Sequence, residues 1–362
     1  MKRISTSIMV VVLIFLMSCS KATPNATEPP DSTDPPSPAK TSYWKGICGP
    51  RWSKWENPDG TFFTAGVNSD IADIQYAGIH WVRMGFNGGD LYTQMDYKVN
   101  TAVRAGLNIL FIYRKGAPEL TYGTEAQEAA NEAYLKATVA RFKDRVTYWE
   151  IHNEPNGKQF WDIGDWVGEG SPDPNTPYNI GVRKYVQHLE RSYKAIKFVD
   201  SSAVVLLGGL TEWKMESFMD RLRIEGAYNF CDEVNVHPYS TNPGTPQKVQ
   251  SRLNAFKTKL GEWPAPHNSK PIWITEIGFH TQSTWTSPGK VTTEEIKAQY
   301  LSETMNLLMT NLSPRRPIFW YALTENSCSD GYGLANKCIV NGNLQRTPLP
   351  ALEAYKAMSD EP

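Results

Sequence analysis

Glu154 stands at the end of the run Val146-Thr147-Tyr148-Trp149-Glu150-Ile151-His152-Asn153-Glu154-Pro155-Asn156, and Glu276 near the end of Pro271-Ile272-Trp273-Ile274-Thr275-Glu276-Ile277-Gly278-Phe279. Both runs are rich in β-branched and aromatic residues, the composition of strands that deliver a side chain to the rim of a sheet. Two carboxyls that converge there suit cleavage at an acetal carbon. One donates a proton to the departing oxygen while the other faces the carbon it leaves. Glu150 lies inside its strand and is read as a structural partner. No Gly-x-Ser-x-Gly elbow is present, which excludes the common esterase arrangement. No Cys/His spacing matches a zinc site, and the two-carboxyl chemistry calls for no metal and no organic cofactor.

The elements that must position these groups alternate regularly. Strand candidates are Trp44–Cys48, Ile79–Met84, Leu107–Tyr113, Val146–His152, Ala203–Leu207, Glu233–His237, Ile272–Thr275 and Ile318–Tyr321. Helix-like stretches lie between them. Ala126, Ala130, Ala133, Ala137 and Ala140 recur at steps of three and four and predict one packed helical face. Further helices are predicted over Tyr178–Phe198 and Glu294–Leu308, with cap-type residues at Asn68-Ser69 and Thr292-Thr293. Strands alternating with helices imply a parallel sheet, and eight units imply an α/β fold closed as a single (β/α)8 TIM barrel. An open doubly wound sheet would carry G-x-G-x-x-G after its first strand, and Gly46-Ile47-Cys48-Gly49-Pro50 does not. In such a barrel, function gathers where strands end at the C-terminal face.

Composition narrows the partners. The 37 Lys+Arg against 38 Asp+Glu give no basic surplus, which excludes a nucleic-acid binder of the usual kind. Twelve Trp and 17 Tyr provide flat apolar faces suited to sugar rings. Trp52, Trp55, Trp161, Trp166, Trp213 and Trp285 fall in loops after strands, where a rim would be built. At the start of the chain, Lys2 and Arg3 precede an apolar run from Ile8 to Met17, too short to span a bilayer and suited to a secretory signal. Leu16-Met17-Ser18-Cys19 resembles a bacterial lipobox, which implies a signal peptide over 1–18 and lipidation of Cys19. Residues 19–41 then read as a tether, with six prolines between Ser20 and Thr41, and 42–362 as the body. Expected from this are a monomer at the bacterial cell envelope, membrane-held through Cys19, a loop-closing disulfide between Cys328 and Cys338, and buried thiols at Cys48 and Cys231 in strand-like runs.

The segment Trp149-Glu150-Ile151-His152-Asn153-Glu154-Pro155-Asn156 resembles the strand-four motif of glycoside hydrolase clan A, and Thr275-Glu276-Ile277-Gly278-Phe279 resembles its strand-seven partner. Families 39 and 5 are nearest, family 39 slightly ahead through the Glu-Pro-Asn ending and the later His-Pro-Tyr. The resemblance covers the body from about Trp44 onward. It implies a retaining β-glycosidase in which Glu154 is the acid/base, Glu276 the nucleophile and Asn153 a donor to the substrate 2-hydroxyl. It also implies Arg83 beside the nucleophile, His237 lining the sugar site, Tyr239 bonded to the nucleophile and Trp320 as the floor under the sugar. His152 departs from the pattern, where the nearest families often carry an aromatic residue. The substrate expected is a polysaccharide or oligosaccharide, cut internally. A glycan-binding lipoprotein on the same scaffold would not need two converging glutamates.

Overall fold

The computed structural model describes residues 44–49, 61–87, 92–114, 121–281, 288–324, 331–340 and 343–359. The expected signal peptide, tether and Cys19 lie outside these residues, as do Trp52, Trp55, Trp285 and Cys328. Among the described residues no helix is long and apolar enough to cross a membrane.

Strands and helices follow one another as the sequence predicts: β1 (Lys45–Cys48), α1 (Thr64–Tyr76), β2 (Trp81–Asn87), α2 (Tyr92–Arg104), β3 (Asn108–Arg114), α3 (Glu125–Phe142), β4 (Tyr148–Ile151), α4 (Pro177–Val199), β5 (Val204–Leu206), β6 (Leu210–Thr211), α5 (Met215–Ile224), β7 (Val234–His237), α6 (Pro246–Gly261), β8 (Ile272–Ile277), α7 (Glu294–Asn311), β9 (Ile318–Tyr321), then the hairpin β10 (Ala335–Val340) and β11 (Asn343–Pro348) and α8 (Pro350–Ala357). The first nine strands form one parallel sheet in the order β5-β4-β3-β2-β1-β9-β8-β7-β6. Leu206 bridges Glu233 just ahead of β7, and β6 pairs with β7, so the sheet closes. Strands β5 and β6 are thus two halves of the fifth barrel strand, interrupted at Leu207-Gly208-Gly209. The fold is a (β/α)8 barrel.

The strands of the barrel bury both faces. Ile47, Val82, Phe111, Trp149, Val205, Val236, Ile274 and Trp320 belong to the layer shared with the helices. Cys48, Trp81, Leu110, Leu206, Trp273 and Phe319 form a separate cluster inside the barrel. Trp81, Tyr148 and Trp273 plug its lower end with ring centroids 5.2, 5.5 and 5.1 Å apart. Below them the Trp273 indole donates to Glu233, which also accepts from Arg316 at 2.7 and 2.6 Å. Gly46 leaves room for this plug, since a Cβ there would sit 2.8 Å from the Phe319 ring. The lower half of the barrel is therefore closed by side chains, and its open mouth lies at the upper end.

Three local expectations fail for identifiable reasons. The alanine series of α3 faces solvent, while the buried face carries Glu128, Leu135, Thr138, Val139 and Phe142. Alanine is the best helix former and needs no packing partner, so its periodicity marked the outer face. Helix α1 starts at Thr64, with Phe63 as an N-cap lacking a side-chain bond, so Asn68 and Ser69 lie within it. Cys231 is buried but ends a short 3-10 turn ahead of β7 rather than lying in a strand. Thr293 does cap α7, accepting from Ile296 N at 3.2 Å. Cys48 and Cys231 are free thiols and Cys338 is disulfide-bonded.

Candidate active site

Arg83 sits on the barrel side of β2, 1% exposed, and every arm of its guanidinium is engaged. Nε and Nη2 donate to the two oxygens of Glu150 at 2.6 and 2.9 Å, the bidentate geometry that guanidinium and carboxylate share. Nη2 also donates to Asn153 Oδ1 at 2.8 Å, and Nη1 to Cys48 Sγ at 3.3 Å and to Glu276. A guanidinium has only donors, so Asn153 must turn its oxygen inward, which sends its NH2 group the other way. Glu150 is fully buried, and Gly209 N donates to it at 2.9 Å. The charge pair at the barrel centre thus compensates itself and orients two residues of the mouth.

The two glutamates reach that mouth by different backbone devices. Past β4, His152 and Glu154 have φ of 73° and 43°, a region rarely occupied by residues with a side chain. The strand coils there. His152 turns away into the helix layer against Trp161 at 5.2 Å, and Glu154 turns back over the barrel with its amide bonded to Gly209 O at 2.9 Å. In β8 the register slips between Ile274 and Ile277, which pair with Ile318 and Trp320 of β9. Three residues oppose two, as in a β-bulge. Ile274 and Ile277 both face the helices. The intervening Thr275 and Glu276 both bond to groups inside the barrel. Without the bulge, alternation would have sent one of them outward.

Glu154 and Glu276 face each other across this mouth. One oxygen of each, with a nitrogen of His237, fall within 4.8 Å of one another. His237 is fully buried, its Nδ1 2.8 Å from Glu154 Oε1 and its Nε2 3.0 Å from Thr275 Oγ1. Thr275 in turn accepts from Asn235 Nδ2 at 3.1 Å and lies 3.5 Å from Glu150 Oε1. Tyr239 donates its hydroxyl to Glu276 Oε2 at 3.2 Å, and burial with the neighbouring Glu276 charge holds that phenol well above its ordinary range. The glutamate–histidine set could also hold a cation, but Arg83 already places a fixed positive charge on Glu276.

The surroundings separate the two carboxyls. Burial works against charge on both. For Glu154 it prevails, reinforced by Glu276 and Glu212 against the opposing pull of His237, and the pKa is raised above 4.5. For Glu276 it is overcome by His237, Arg83 and the hydrogen bonds from Arg83 and Tyr239, and the pKa is lowered. One group is thereby suited to carry a proton and its partner to carry a charge.

Of the residues singled out in the sequence, Glu154, Glu276, Asn153, Arg83, His237 and Tyr239 meet at this mouth. Trp320 does not. It is wholly buried in the helix layer beside Phe279, at 6.1 Å, and donates its indole N–H to Tyr332 O at 3.0 Å. The next residue, Tyr321, packs against the barrel-interior cluster and lies 5.4 Å from Tyr332. Trp320 thus faces the helices, and Tyr321 is the residue at the end of β9 that meets the barrel interior. Trp161 is fully buried, whereas Trp166 is half-buried and Trp213 is exposed. Thr275, Asn235 and the Gly208-Gly209 pair were not singled out beforehand. Alternation along β7 from His237 would have found Asn235, whereas along β8 the bulge breaks the phase between Glu276 and Thr275.

The glycosyl hydrolase catalytic core family matches residues 122–348. No curated protein matches in sequence. Among solved structures, a family 39 glycoside hydrolase from Bacteroides cellulosilyticus WH2 superposes with a TM-score of 0.62 at 18% identity, over 88% of this chain and 64% of its own. This chain therefore spans under two thirds of that protein. A monomeric beta-xylosidase from Caulobacter crescentus CB15 gives 0.59 at 15% identity, covering 88% and 68%. A beta-glucosidase from Exiguobacterium marinum gives 0.57 at 13%, covering 88% and 98%.

Proposed function

The chain belongs to the glycosyl hydrolase catalytic core family, and from that premise we propose that it is an O-glycosyl hydrolase, a retaining β-glycosidase working by double displacement. The observation that carries this reading is the pair of carboxylates whose facing oxygens lie within 4.8 Å of each other, held in opposite electrostatic surroundings. Retaining enzymes keep the groups about 5–5.5 Å apart, whereas inversion leaves about 6.5–9.5 Å for a water between them. Glu276 attacks the anomeric carbon as Glu154 protonates the departing oxygen. Glu154 then takes a proton from water, whose oxygen displaces Glu276 from the sugar. Asn153, its oxygen committed to Arg83, presents its NH2 to the 2-hydroxyl of the sugar.

The Thr275 hydroxyl orients the acid. With its own proton directed to Glu150, it accepts from His237 Nε2, which leaves Nδ1 to accept from a protonated Glu154.

In this reading the substrate is a polysaccharide or oligosaccharide cut internally, and the body is held at the bacterial envelope as a monomer through lipidated Cys19. The proline-rich tether supports a polymeric substrate, since an anchored enzyme works on chains too large to import. The test is incubation with a panel of β-linked polysaccharides, sizing the products over time and recording the first-formed anomer by NMR. Release of shorter chains with the β configuration is expected. An α first product would overturn retention, and binding without cleavage would favour the non-catalytic alternative.

Gly209→Ala offers an independent check on the mouth. A Cβ there would lie 2.2 Å from His237 Nε2 and 2.8 Å from Thr275 Oγ1, both buried. Displacing the imidazole that orients Glu154 should lower kcat on the order of 100-fold. Thermal denaturation should show that the fold persists. Wild-type turnover in this variant would remove His237 from the mechanism.

A further inference from the structure

Every tryptophan among the described residues is buried or half-buried except Trp213, which is 58% exposed. Leaving a large apolar ring in water forgoes burial free energy at about 25 cal/mol per Å², and here the ring stands at the rim of the site. Its backbone is pinned to the segment that carries Glu154. The buried Asn156 donates to Thr211 O at 2.9 Å and Trp213 O at 2.7 Å, and accepts from Thr211 N at 3.1 Å. Lys214, next in sequence, has φ 55° and is held by Glu169, which also accepts from Ser217 at 2.5 Å. Trp166 completes the feature, with its ring centroid 6.4 Å from Trp213 at an angle of 53°. Its own backbone is left-handed at φ 59°, an unusual conformation for so bulky a residue.

We propose that Trp213, backed by Trp166, is the platform for the leaving-group sugar, the unit immediately beyond the bond that is cut. The side of the mouth decides this placement. Glu154 faces the departing oxygen, and Asn156 ties Trp213 to the Glu154 loop, whereas Glu276 and Tyr239 line the opposite wall from β7 and β8. Glu212, next to Trp213, contributes to the negative field at Glu154 and accepts from Thr211 Oγ1 at 2.7 Å. Lys158 and Lys214 are each paired, with Asp165 and Glu169. The platform therefore takes an uncharged, equatorially substituted pyranose, whose C–H face lies on the indole. A carboxylated sugar would meet repulsion there.

This inference rests on the glycosidase reading, and the experiment separates the two. Wild type, Trp213→Ala and Trp213→Phe are compared on β-1,4-linked xylo- and gluco-oligosaccharides and on the β-xylosyl and β-glucosyl fluorides, whose leaving group fills no sugar site. The ratio of oligosaccharide to fluoride kcat/KM should fall roughly tenfold or more in Trp213→Ala and recover in large part in Trp213→Phe. An unchanged ratio overturns the platform. Binding of the same oligosaccharides to Glu276→Gln, with and without Trp213→Ala, is measured by calorimetry. Binding weakened by Trp213→Ala in a protein whose wild type cleaves nothing would retire the glycosidase reading, and with it the leaving-group assignment, while keeping Trp213 as a sugar-binding surface. Absence of binding in Glu276→Gln would overturn the platform.

Discussion

Glu276→Gln is expected to abolish turnover, lowering kcat on the order of 10⁴–10⁶-fold on every substrate, because no other group on that wall can attack the anomeric carbon. Glu154→Ala should behave differently. With a sugar as leaving group the loss should be on the order of 10²–10⁴, the usual worth of general acid catalysis. With 2,4-dinitrophenolate, which departs without protonation, the first step should survive and the glycosyl-enzyme accumulate as a burst. Added azide needs no general base, so it should restore turnover in Glu154→Ala and yield a β-glycosyl azide. A β-glycosyl azide from a Glu276→Ala protein, with an α-azide from Glu154→Ala, would assign the roles the other way round.

Arg83→Met should cost both stability and the acid side of the activity profile. The substitution leaves Glu150 with no guanidinium in a site where it has no exposure, and breaking such a pair typically costs about 3–5 kcal/mol. Urea unfolding would measure it. Catalysis requires Glu276 charged and Glu154 protonated, so activity is present above the pKa of Glu276 and below that of Glu154. Arg83 is among the groups that hold the Glu276 pKa down against burial. Its removal should therefore move the acid limb of kcat/KM toward higher pH and narrow the window. Arg83→Lys, which keeps one charge but not the fork, should retain more of the acid limb than of the stability. An acid limb that stays in place in Arg83→Met would mean that His237 and Tyr239 suffice to keep Glu276 ionised.

Side-chain direction is what sequence patterning encodes least. Trp320 and Tyr321 are both large and apolar, and β9 is covered by helices outside and by the barrel plug inside. A strand buried on both faces shows no alternation of apolar with polar residues, so its phase is illegible. Glu276 points inward only because of the β8 bulge, and Glu154 because two non-glycine residues one apart, His152 and Glu154, adopt positive φ. Neither device has a signature in residue type. The alanine row of α3 misled because helix propensity and burial both produce a period near 3.6, and only neighbours distinguish them.

By itself the sequence determined the alternation of strands and helices, the closed parallel barrel, and the two glutamate-bearing strand ends, because local preference and apolar patterning are properties of short segments. It also singled out Arg83, His237, Tyr239 and Asn153 through their likeness to a family. Only the tertiary structure decided which face each side chain takes, how Arg83 distributes five hydrogen bonds among four residues, and what physically sets the two carboxyls apart. Those outcomes depend on burial and on charges from strands distant along the chain, and distance through space exists only once the barrel has closed.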